Sequence, residues 1–405
     1  MSHILQYSVI IGLFSILLSS GISAGVSALP EQVPNTARFI TLTTNSNILD
    51  VYEFKGCTVK YIFEEMSAID CPPAIGRLMG LELDIQVFAV DVVANDQVKA
   101  TDVQATGLSG SGVTVAVLDT GIDYSHDELS SSSSMTSGKS FVSGIDSFYD
   151  DNGHGTFVAG LITSDGLVDS ASLGSAPAAQ IWAGKVLDSN GSGYLSDTVA
   201  AINYVADNDI ADVISMSLGT GPPYTYKGKN CDRVYPAMTN AIKNANANGV
   251  TVIAAAGNSG IFGVGLPGCI TDVITVGAID SADSPAWFSS EGDSVDVVAL
   301  GVSDYSTVAK VAGGGYGYGS GTSFSTPIVA GVIALIIQDD STLSPKQIQE
   351  ALRNTAVDIA SDGFDSKTGY GIVNAVAAIN YGTTPDDGGD PTPKCNKGMQ
   401  KKGLC

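Results

Sequence analysis

Basic residues are scarce in this chain of 405 residues. Nineteen lysines and arginines stand against 42 aspartates and glutamates, and the formal net charge at pH 7 is -23. A surface of this sign repels phosphate backbones and anionic headgroups, so we expect neither nucleic acid nor an anionic membrane as a partner. Charged residues of both signs make up only 15% of the chain, below the roughly 25% of an average soluble domain. Ser, Thr, Asn and Gly must supply the polar surface, which is typical of an extracellular protein.

Two kinds of reactive side chain are also rare. The three histidines, His3, His126 and His154, leave few candidates for a general base. The six cysteines include no C-x-x-C pair, so a zinc or redox site has no support. Proximity predicts three disulfides in an oxidising compartment, Cys57 with Cys71, Cys231 with Cys269, and Cys395 with Cys405. Other connectivities and buried free thiols are the alternatives.

The N-terminus carries the apolar run YSVIIGLFSILLSS, followed by small residues with A-x-A-like ends at Ala24 and Ala28. We interpret residues 1–28 as a secretory signal peptide, which predicts a secreted, extracellular protein. An uncleaved anchor is the alternative, because the segment before the apolar run has no Lys or Arg. No later segment is expected to span a membrane.

The periodicity of the sequence changes at about residue 112. Residues 38–93 indicate a small α+β unit, whereas the later apolar runs VTVAVL, AQIWAGKVL, ADVISMSL and VTVIAAA alternate with amphipathic helical stretches. That alternation predicts a doubly wound α/β fold with a mostly parallel sheet. Functional residues should then lie at the carboxyl ends of the strands.

Four short motifs place polar residues at strand ends or helix starts. They are Asp119 at the end of VTVAVLD, His154 in NGHGTFVAG, Asn258 in AAAGNSG, and Ser323 in GTSFSTPIVAG. Singly, each residue is more typical of a turn, a helix cap or a structural histidine. Together they supply an orienting acid, a base, an oxyanion donor and a nucleophile. The glycines of GLSGSG precede a strand rather than follow it, so a dinucleotide site is excluded.

These motifs, with SMSLG, resemble those of subtilisin-like serine peptidases, the subtilases, in type and in order from about residue 97 to 381. The resemblance implies a triad of Asp119, His154 and Ser323, with Asn258 in the oxyanion hole. It implies a monomeric serine endopeptidase that acts on polypeptides without a catalytic cofactor. The alternatives are a catalytically silent homologue that binds peptides through the same cleft, and a surface-attached scaffold.

The resemblance also implies how a substrate binds. In subtilases the substrate backbone adds as a strand between two segments, which here resemble Gly191, Ser192 and Gly193 on one side and Ser217, Leu218 and Gly219 on the other. The stretches SLGTG and AAAGNSGIFGVGLPG contain no acidic residue. We therefore expect broad specificity, with an apolar or aromatic side chain before the scissile bond.

The residues before the main domain resemble the inhibitory prosegment of the family, which acts as an intramolecular inhibitor and folding template. The predicted division of the chain is a signal peptide (1–28), an α+β, ferredoxin-like prosegment (29–95), a subtilisin-like catalytic domain (96–381), and a Pro/Gly/Asp linker with a short Cys-containing tail (382–405). Self-cleavage is expected between residues 90 and 99.

The resemblance suggests one structural cofactor, calcium. Glu128, Asp165 and Asp169 stand near the positions that hold calcium in many subtilases, and oxygen ligands are what this ion requires. Plain solvated carboxylates are the alternative.

Overall fold

The computed structural model describes residues 37–62, 66–84, 86–89, 97–130, 135–228 and 231–381. All of them belong to the second of the two units into which the chain divides, residues 36–405. The predicted signal peptide, most of the predicted cleavage window, and the tail with Cys395 and Cys405 lie outside the described residues.

The described part of the chain contains ten α-helices and 18 strands. The helices are α1 (Ser46–Phe54), α2 (Pro73–Leu78), α3 (Ala100–Gln104), α4 (Asp127–Ser130), α5 (His154–Thr163), α6 (Leu195–Asp207), α7 (Pro236–Ala247), α8 (Thr322–Asp339), α9 (Pro345–Thr355) and α10 (Ala375–Ile379). The strands are β1 (Ala37–Thr41), β2 (Thr58–Ile62), β3 (Ser67–Cys71), β4 (Glu82–Leu83), β5 (Gln86–Ala89), β6 (Thr114–Asp119), β7 (Met135–Ser140), β8 (Gln180–Lys185), β9 (Ser192–Tyr194), β10 (Val213–Met216), β11 (Leu218–Gly219), β12 (Thr225–Tyr226), β13 (Thr251–Ala255), β14 (Val264–Gly265), β15 (Ile274–Ile279), β16 (Val297–Leu300), β17 (Val302–Thr307) and β18 (Tyr316–Ser320).

The N-terminal part forms an antiparallel sheet in the order β2-β3-β1-β4, accompanied by α1 and α2. This is the β-α-β-β-α-β arrangement of ferredoxin-like folds. The sequence did not predict α1 or β3. Helix α1 buries only Leu49, and it begins where the Asn45 side chain accepts a hydrogen bond from the Asn47 N–H at 3.0 Å.

Two of the three predicted disulfides lie within the described residues, and both are confirmed. Cys57 pairs with Cys71 at the end of β3, inside the N-terminal part. Cys231 pairs with Cys269 in the larger domain. Each bridge therefore stays within one of the two parts that the sequence pattern separated.

The larger domain is built on a seven-stranded sheet in the order β16-β15-β13-β10-β6-β8-β7, in which all neighbours are parallel. The four apolar runs predicted as strands are β6, β8, β10 and β13. Strand order reverses around β6, since the chain goes to β7 and β8 on one side and later to β10 on the other. A crevice opens at the carboxyl ends of strands at such a reversal. The predicted doubly wound α/β fold is confirmed, and Asp119, the last residue of β6, lies at this edge.

Helix α8 passes through the core of this domain. Every residue from Thr322 to Ile336 is buried, and the helix packs against α5 and strands β10, β13, β15 and β16. By length and composition alone α8 is apolar enough to cross a membrane, a feature that the sequence analysis did not single out. Its burial inside the protein identifies it as a core helix.

Buried charges join the N-terminal part to the larger domain. The Arg38 guanidinium lies 3.8 Å from the centroid of the Tyr194 ring and 3.2 Å from the Asp197 carboxylate. Asp84 accepts a hydrogen bond from the Ser196 N–H at 2.8 Å, in the first turn of α6. Carboxylates are favoured at a helix N-terminus by its exposed N–H groups and its dipole.

Helix α9 is attached to the sheet by an ion pair between Arg353 and Asp296. The Arg353 Nε donates at 2.6 Å to the Asp296 carboxylate, which is buried. We expect Arg353→Met to lower the free energy of unfolding by about 3–5 kcal/mol, because it leaves a buried carboxylate without its cation. Lys346→Met is the matched control on the same helix, since it breaks an exposed pair with Glu350 and should change stability by less than about 1 kcal/mol. Chemical denaturation measures both, and equal losses would contradict this account of the buried pair.

Candidate active site

The predicted acid and base meet at the carboxyl edge of the sheet. His154 is the first residue of α5, and its Nδ1 lies 2.8 Å from Asp119 Oδ1, which also accepts from the Thr120 N–H at 2.7 Å. An ionised carboxylate only accepts, so Nδ1 carries the proton and the imidazole lone pair is on Nε2. A glycine makes this approach of helix and strand feasible: a Cβ added to Gly155 would lie 2.1 Å from the Gly121 carbonyl oxygen.

A buried carboxylate that the sequence analysis did not single out joins the two motifs. Asp150 is fully buried and accepts hydrogen bonds from Thr120 Oγ at 2.9 Å and from the Gly153 N–H at 2.8 Å. These two partners are the chain neighbours of Asp119 and His154, so one side chain sets the spacing between acid and base. The signal in the sequence is the acidic pair before NGHG, which is easily taken for an ordinary turn or helix cap.

The predicted nucleophile and oxyanion donor meet at the start of α8. Ser323 is the second residue of this helix, and its Oγ donates to the Ser217 carbonyl at 3.2 Å. The N–H and the Oγ of Thr322 each lie 3.0 Å from Asn258 Oδ1. Because a backbone N–H only donates, the oxygen of the Asn258 amide faces the helix, and Nδ2 is the end that can donate elsewhere. Thr322 is a second residue of the site that the sequence analysis missed.

Aromatic contacts bring the two halves of the site together. The ring centroid of His154 lies 5.3 Å from that of Phe324, the residue after Ser323. Helices α5 and α8 pack against each other, so the base and the serine lie at one helix junction beside the ends of β6 and β13. Asp119, His154, Ser323 and Asn258 are therefore all placed in the same region of the domain.

The two predicted substrate-binding segments flank a strand of the chain itself. Strand β5 lies between β9 and β11 and pairs antiparallel with both. Gly193 is opposite Val87, and Leu218 is opposite Ala89. Of the remaining predicted residues, Ser192 and Gly219 belong to β9 and β11, and Gly191 and Ser217 immediately precede these strands. The two segments thus hold an extended backbone between them, and in this structure that backbone is residues 86–89.

The residues proposed for calcium surround a carboxylate that is already hydrogen-bonded. Glu128 is fully buried and accepts from the Asp169 N–H at 2.8 Å, the Gly166 N–H at 3.1 Å and the Tyr316 hydroxyl at 3.1 Å. Burial alone would raise the pKa of Glu128, but these hydrogen bonds hold it below its usual value. The N–H groups of Gly166 and Asp169 therefore occupy positions around the Glu128 carboxylate that a bound cation would need.

The two aspartates of the predicted calcium site are also engaged locally. Asp169 accepts from the Ala171 N–H at 3.0 Å and from the Tyr305 hydroxyl at 2.7 Å, and Asp165 accepts from the Leu167 N–H at 3.0 Å. Among the residues that the structure describes, no three His, Cys, Asp or Glu side chains are grouped to hold a metal. The three residues do not fit a calcium site in this arrangement, and calcium binding by this chain stays a prediction.

Comparison with known proteins assigns the chain to a family. The sequence profile of the subtilase family matches residues 110–371. The chain belongs to the subtilase family. Alkaline elastase YaB from Bacillus sp. (strain YaB) is 38% identical over 318 residues, which cover 78% of this chain and 77% of that protein. Subtilisin DY from Bacillus licheniformis is 40% identical over 287 residues, which cover 69% of this subtilase and 96% of the relative.

A third relative agrees with this assignment. The alkaline protease of Shouchella clausii is 37% identical over 317 residues, which cover 78% of this chain and 77% of that protein. The predicted class of enzyme is confirmed: this subtilase is a serine-type endopeptidase, a hydrolase of peptide bonds. The family assignment favours the enzyme over a purely structural scaffold.

The geometry around Glu128 gives a test of the calcium prediction. We expect Glu128→Gln to lower the free energy of unfolding by about 1–3 kcal/mol, because an amide NH2 would face N–H donors that lose their acceptor. Thermal unfolding of wild type and variant is measured with calcium and with a chelator. If Glu128 ligates no calcium, any difference between the two conditions is the same in both proteins. A calcium-dependent difference that disappears in Glu128→Gln would instead make this carboxylate a ligand.

Proposed function

We propose that this subtilase is a secreted endopeptidase, made as a self-cleaving zymogen, in which Asp119, His154 and Ser323 form the catalytic triad. One observation carries the proposal. The strand β5 lies between the two segments expected to bind substrate, while the acid, the base and the serine converge beside them. The N-terminal part then acts as a substrate-like inhibitor of its own catalytic domain.

Each triad residue has one role in this mechanism. Ser323 Oγ attacks the peptide carbonyl while His154 Nε2 takes its proton, and the Asp119 carboxylate stabilises the imidazolium that forms. The oxyanion accepts hydrogen bonds from Asn258 Nδ2 and from the Ser323 N–H, at the helix end where negative charge is favoured. His154 then protonates the leaving amine, and water hydrolyses the acyl-enzyme by the same route in reverse.

Backbone pairing supports broad specificity. Strand addition satisfies the N–H and C=O groups of a substrate whatever its side chains, and β9 and β11 hold β5 in this manner. Because SLGTG and AAAGNSGIFGVGLPG carry no acidic residue, no carboxylate of these segments would pair with a basic side chain. We therefore propose apolar or aromatic side chains before the scissile bond.

The register of β5 supports a narrower cleavage window. Ala89 is the last residue of β5 and pairs with Leu218, next to the Ser217 carbonyl that contacts Ser323. A chain held up to Ala89 would present the peptide bonds just beyond it to the nucleophile. We propose that self-cleavage falls at the beginning of the window between residues 90 and 99, after removal of the signal peptide has released the zymogen.

The intact mass of the secreted product tests the triad and the zymogen together. We expect wild type to lose the prosegment and Ser323→Ala to retain it, because only the wild type has the attacking hydroxyl. The mass of the wild-type product also locates the new N-terminus. The same product should cleave peptides after Phe or Leu faster than after Arg. Identical trimming of both proteins would assign the cut to another protease, and a wild type that cleaves no peptide would refute the proposed activity.

The buried carboxylates between prosegment and catalytic domain predict a pH dependence. Burial raises the pKa of Asp84 to about 6 and that of Asp197 to about 7. Carboxyl groups whose pKa is higher in the folded than in the unfolded chain bind protons on folding. Their contribution to stability is therefore complete below about pH 4 and is lost as the pH rises to about 7.

We expect the decrease in melting temperature of Ser323→Ala between pH 5 and pH 8 to become smaller when Asp197→Asn is added, because one of the titrating groups is removed. Differential scanning calorimetry at the two pH values measures the change. Asp207→Asn, on an exposed position of the same helix, is the matched control and should leave the decrease unaltered. An equal decrease with and without Asp197→Asn would show that this interface does not titrate as described.

A further inference from the structure

Three aromatic rings are stacked where the helices of the base and the nucleophile cross. The centroid of the Phe324 ring lies 5.3 Å from that of His154, with 32° between the ring planes. The Phe157 ring lies 4.5 Å from the same Phe324 ring, with 29° between the planes. All three residues are buried, with 5%, 8% and 2% of His154, Phe157 and Phe324 exposed. The stack is thus closed to solvent at nearly every point.

The three rings come from the two helices that carry the general base and the nucleophile. Phe157 follows His154 by three residues on α5, so both side chains lie on the same face of that helix. Phe324 belongs to α8 and directly follows Ser323. One ring from the serine helix therefore contacts two rings from the histidine helix, and it connects the general base to the backbone that carries the nucleophile.

Two independent contacts are needed to orient the imidazole. The hydrogen bond from Nδ1 to Asp119 holds one edge of the ring, but rotation about that bond would still move Nε2. The Phe324 ring, tilted by 32° against the imidazole, opposes this rotation, because two rings in contact lose part of that contact when one of them turns. Phe324 can oppose it only if its own ring is fixed, and the stacked Phe157 ring, 4.5 Å away, restrains it.

We propose that Phe157 is a positioning residue for the general base, acting through Phe324. The inference rests on the proposed triad and deepens it, because it names what holds Nε2 in line with the serine hydroxyl. Loss of the ring at residue 157 would then reduce the fraction of time that the base is aligned. That loss affects the chemical step, whereas substrate binding by β9 and β11 stays intact.

Phe157→Leu tests this directly, since it keeps an apolar side chain of similar bulk and removes the flat ring. We expect kcat for a peptide with Phe before the scissile bond to decrease about 3- to 10-fold, with KM changed by less than about 2-fold. Phe157→Tyr restores a ring and should bring kcat back to within about 2-fold of wild type. All values are measured on the processed enzyme and referred to active sites titrated with an acylating inhibitor.

Leu161→Ala is the matched control for a general weakening of the core. Leu161 is fully buried on the same helix, one turn beyond Phe157, and belongs to the same apolar cluster, but its side chain has no ring and is aliphatic. Its truncation should lower the melting temperature and leave kcat within about 2-fold. A lower kcat in Phe157→Leu alone, rescued in Phe157→Tyr, supports the positioning role.

Two results would overturn the inference and leave the proposed function intact. One is a Phe157→Leu enzyme with the kcat of wild type. The other is an equal decrease of kcat in Phe157→Leu and Leu161→Ala, which would reflect core stability only. By contrast, a wild-type protein that cleaves no peptide would refute the proposed function itself, and the activity of the unmodified chain therefore separates the two failures.

Discussion

The enclosure of α8 is the constraint on which the rest of the domain depends. A helix that is buried over its first 15 residues cannot be covered by one layer, and it requires a sheet on one side and helices on the other. Close contacts along it demand small residues: a Cβ added to Gly331 would lie 2.0 Å from Ser175 Oγ. Because α8 is held so firmly, its N-terminus with Ser323 is fixed relative to the strand ends that carry Asp119 and Asn258.

Buried acids are the second theme of this structure. Most of the 42 acidic residues contribute to surface charge and solubility. Asp119, Asp150 and Glu128, by contrast, are completely buried. A buried carboxylate is tolerated only when hydrogen bonds or charges stabilise it. Asp150 and Glu128 obtain them chiefly from backbone N–H groups and hydroxyls of neighbouring loops. The same bonds order those loops, and in the case of Asp150 they order the catalytic region.

The N-terminal part is coupled to the catalytic domain at two places with different chemistry. At the cleft, the contact is backbone pairing of β5, which is insensitive to side-chain identity and to pH. At α6 it is a cluster of Arg38, Asp84 and Asp197, in which the pKa values of both acids are raised by burial. The two contacts therefore differ in their response to pH, because backbone pairing does not titrate, whereas the contact at α6 weakens as the pH rises.

Local sequence patterns were sufficient to predict some of the strands but not others. Strands β6, β8, β10 and β13 are short apolar runs between helices, a pattern that the chain carries within a few residues. Strand β7 was missed because it is a polar edge strand in which none of Ser137 to Ser140 is buried, so no alternation marks it. Calcium binding stays a prediction that the local pattern could not decide, because the path of the loop after α5, which directs the N–H groups of Gly166 and Asp169 toward Glu128, is set by the fold.

The sequence by itself predicted the doubly wound α/β fold, its strands β6, β8, β10 and β13, and two disulfides, because each of these is specified by a local pattern or by chain proximity. It also predicted that Asp119, His154, Asn258 and Ser323 lie at strand ends or helix starts. Only the tertiary structure decided which side chains hold them. Asp150 reaches back to Thr120, Thr322 orients Asn258, and Phe324 contacts His154 across a distance of 170 positions along the chain. Such partners depend on how two helices and a sheet pack, and packing is a property of surfaces that form only when the whole domain has folded.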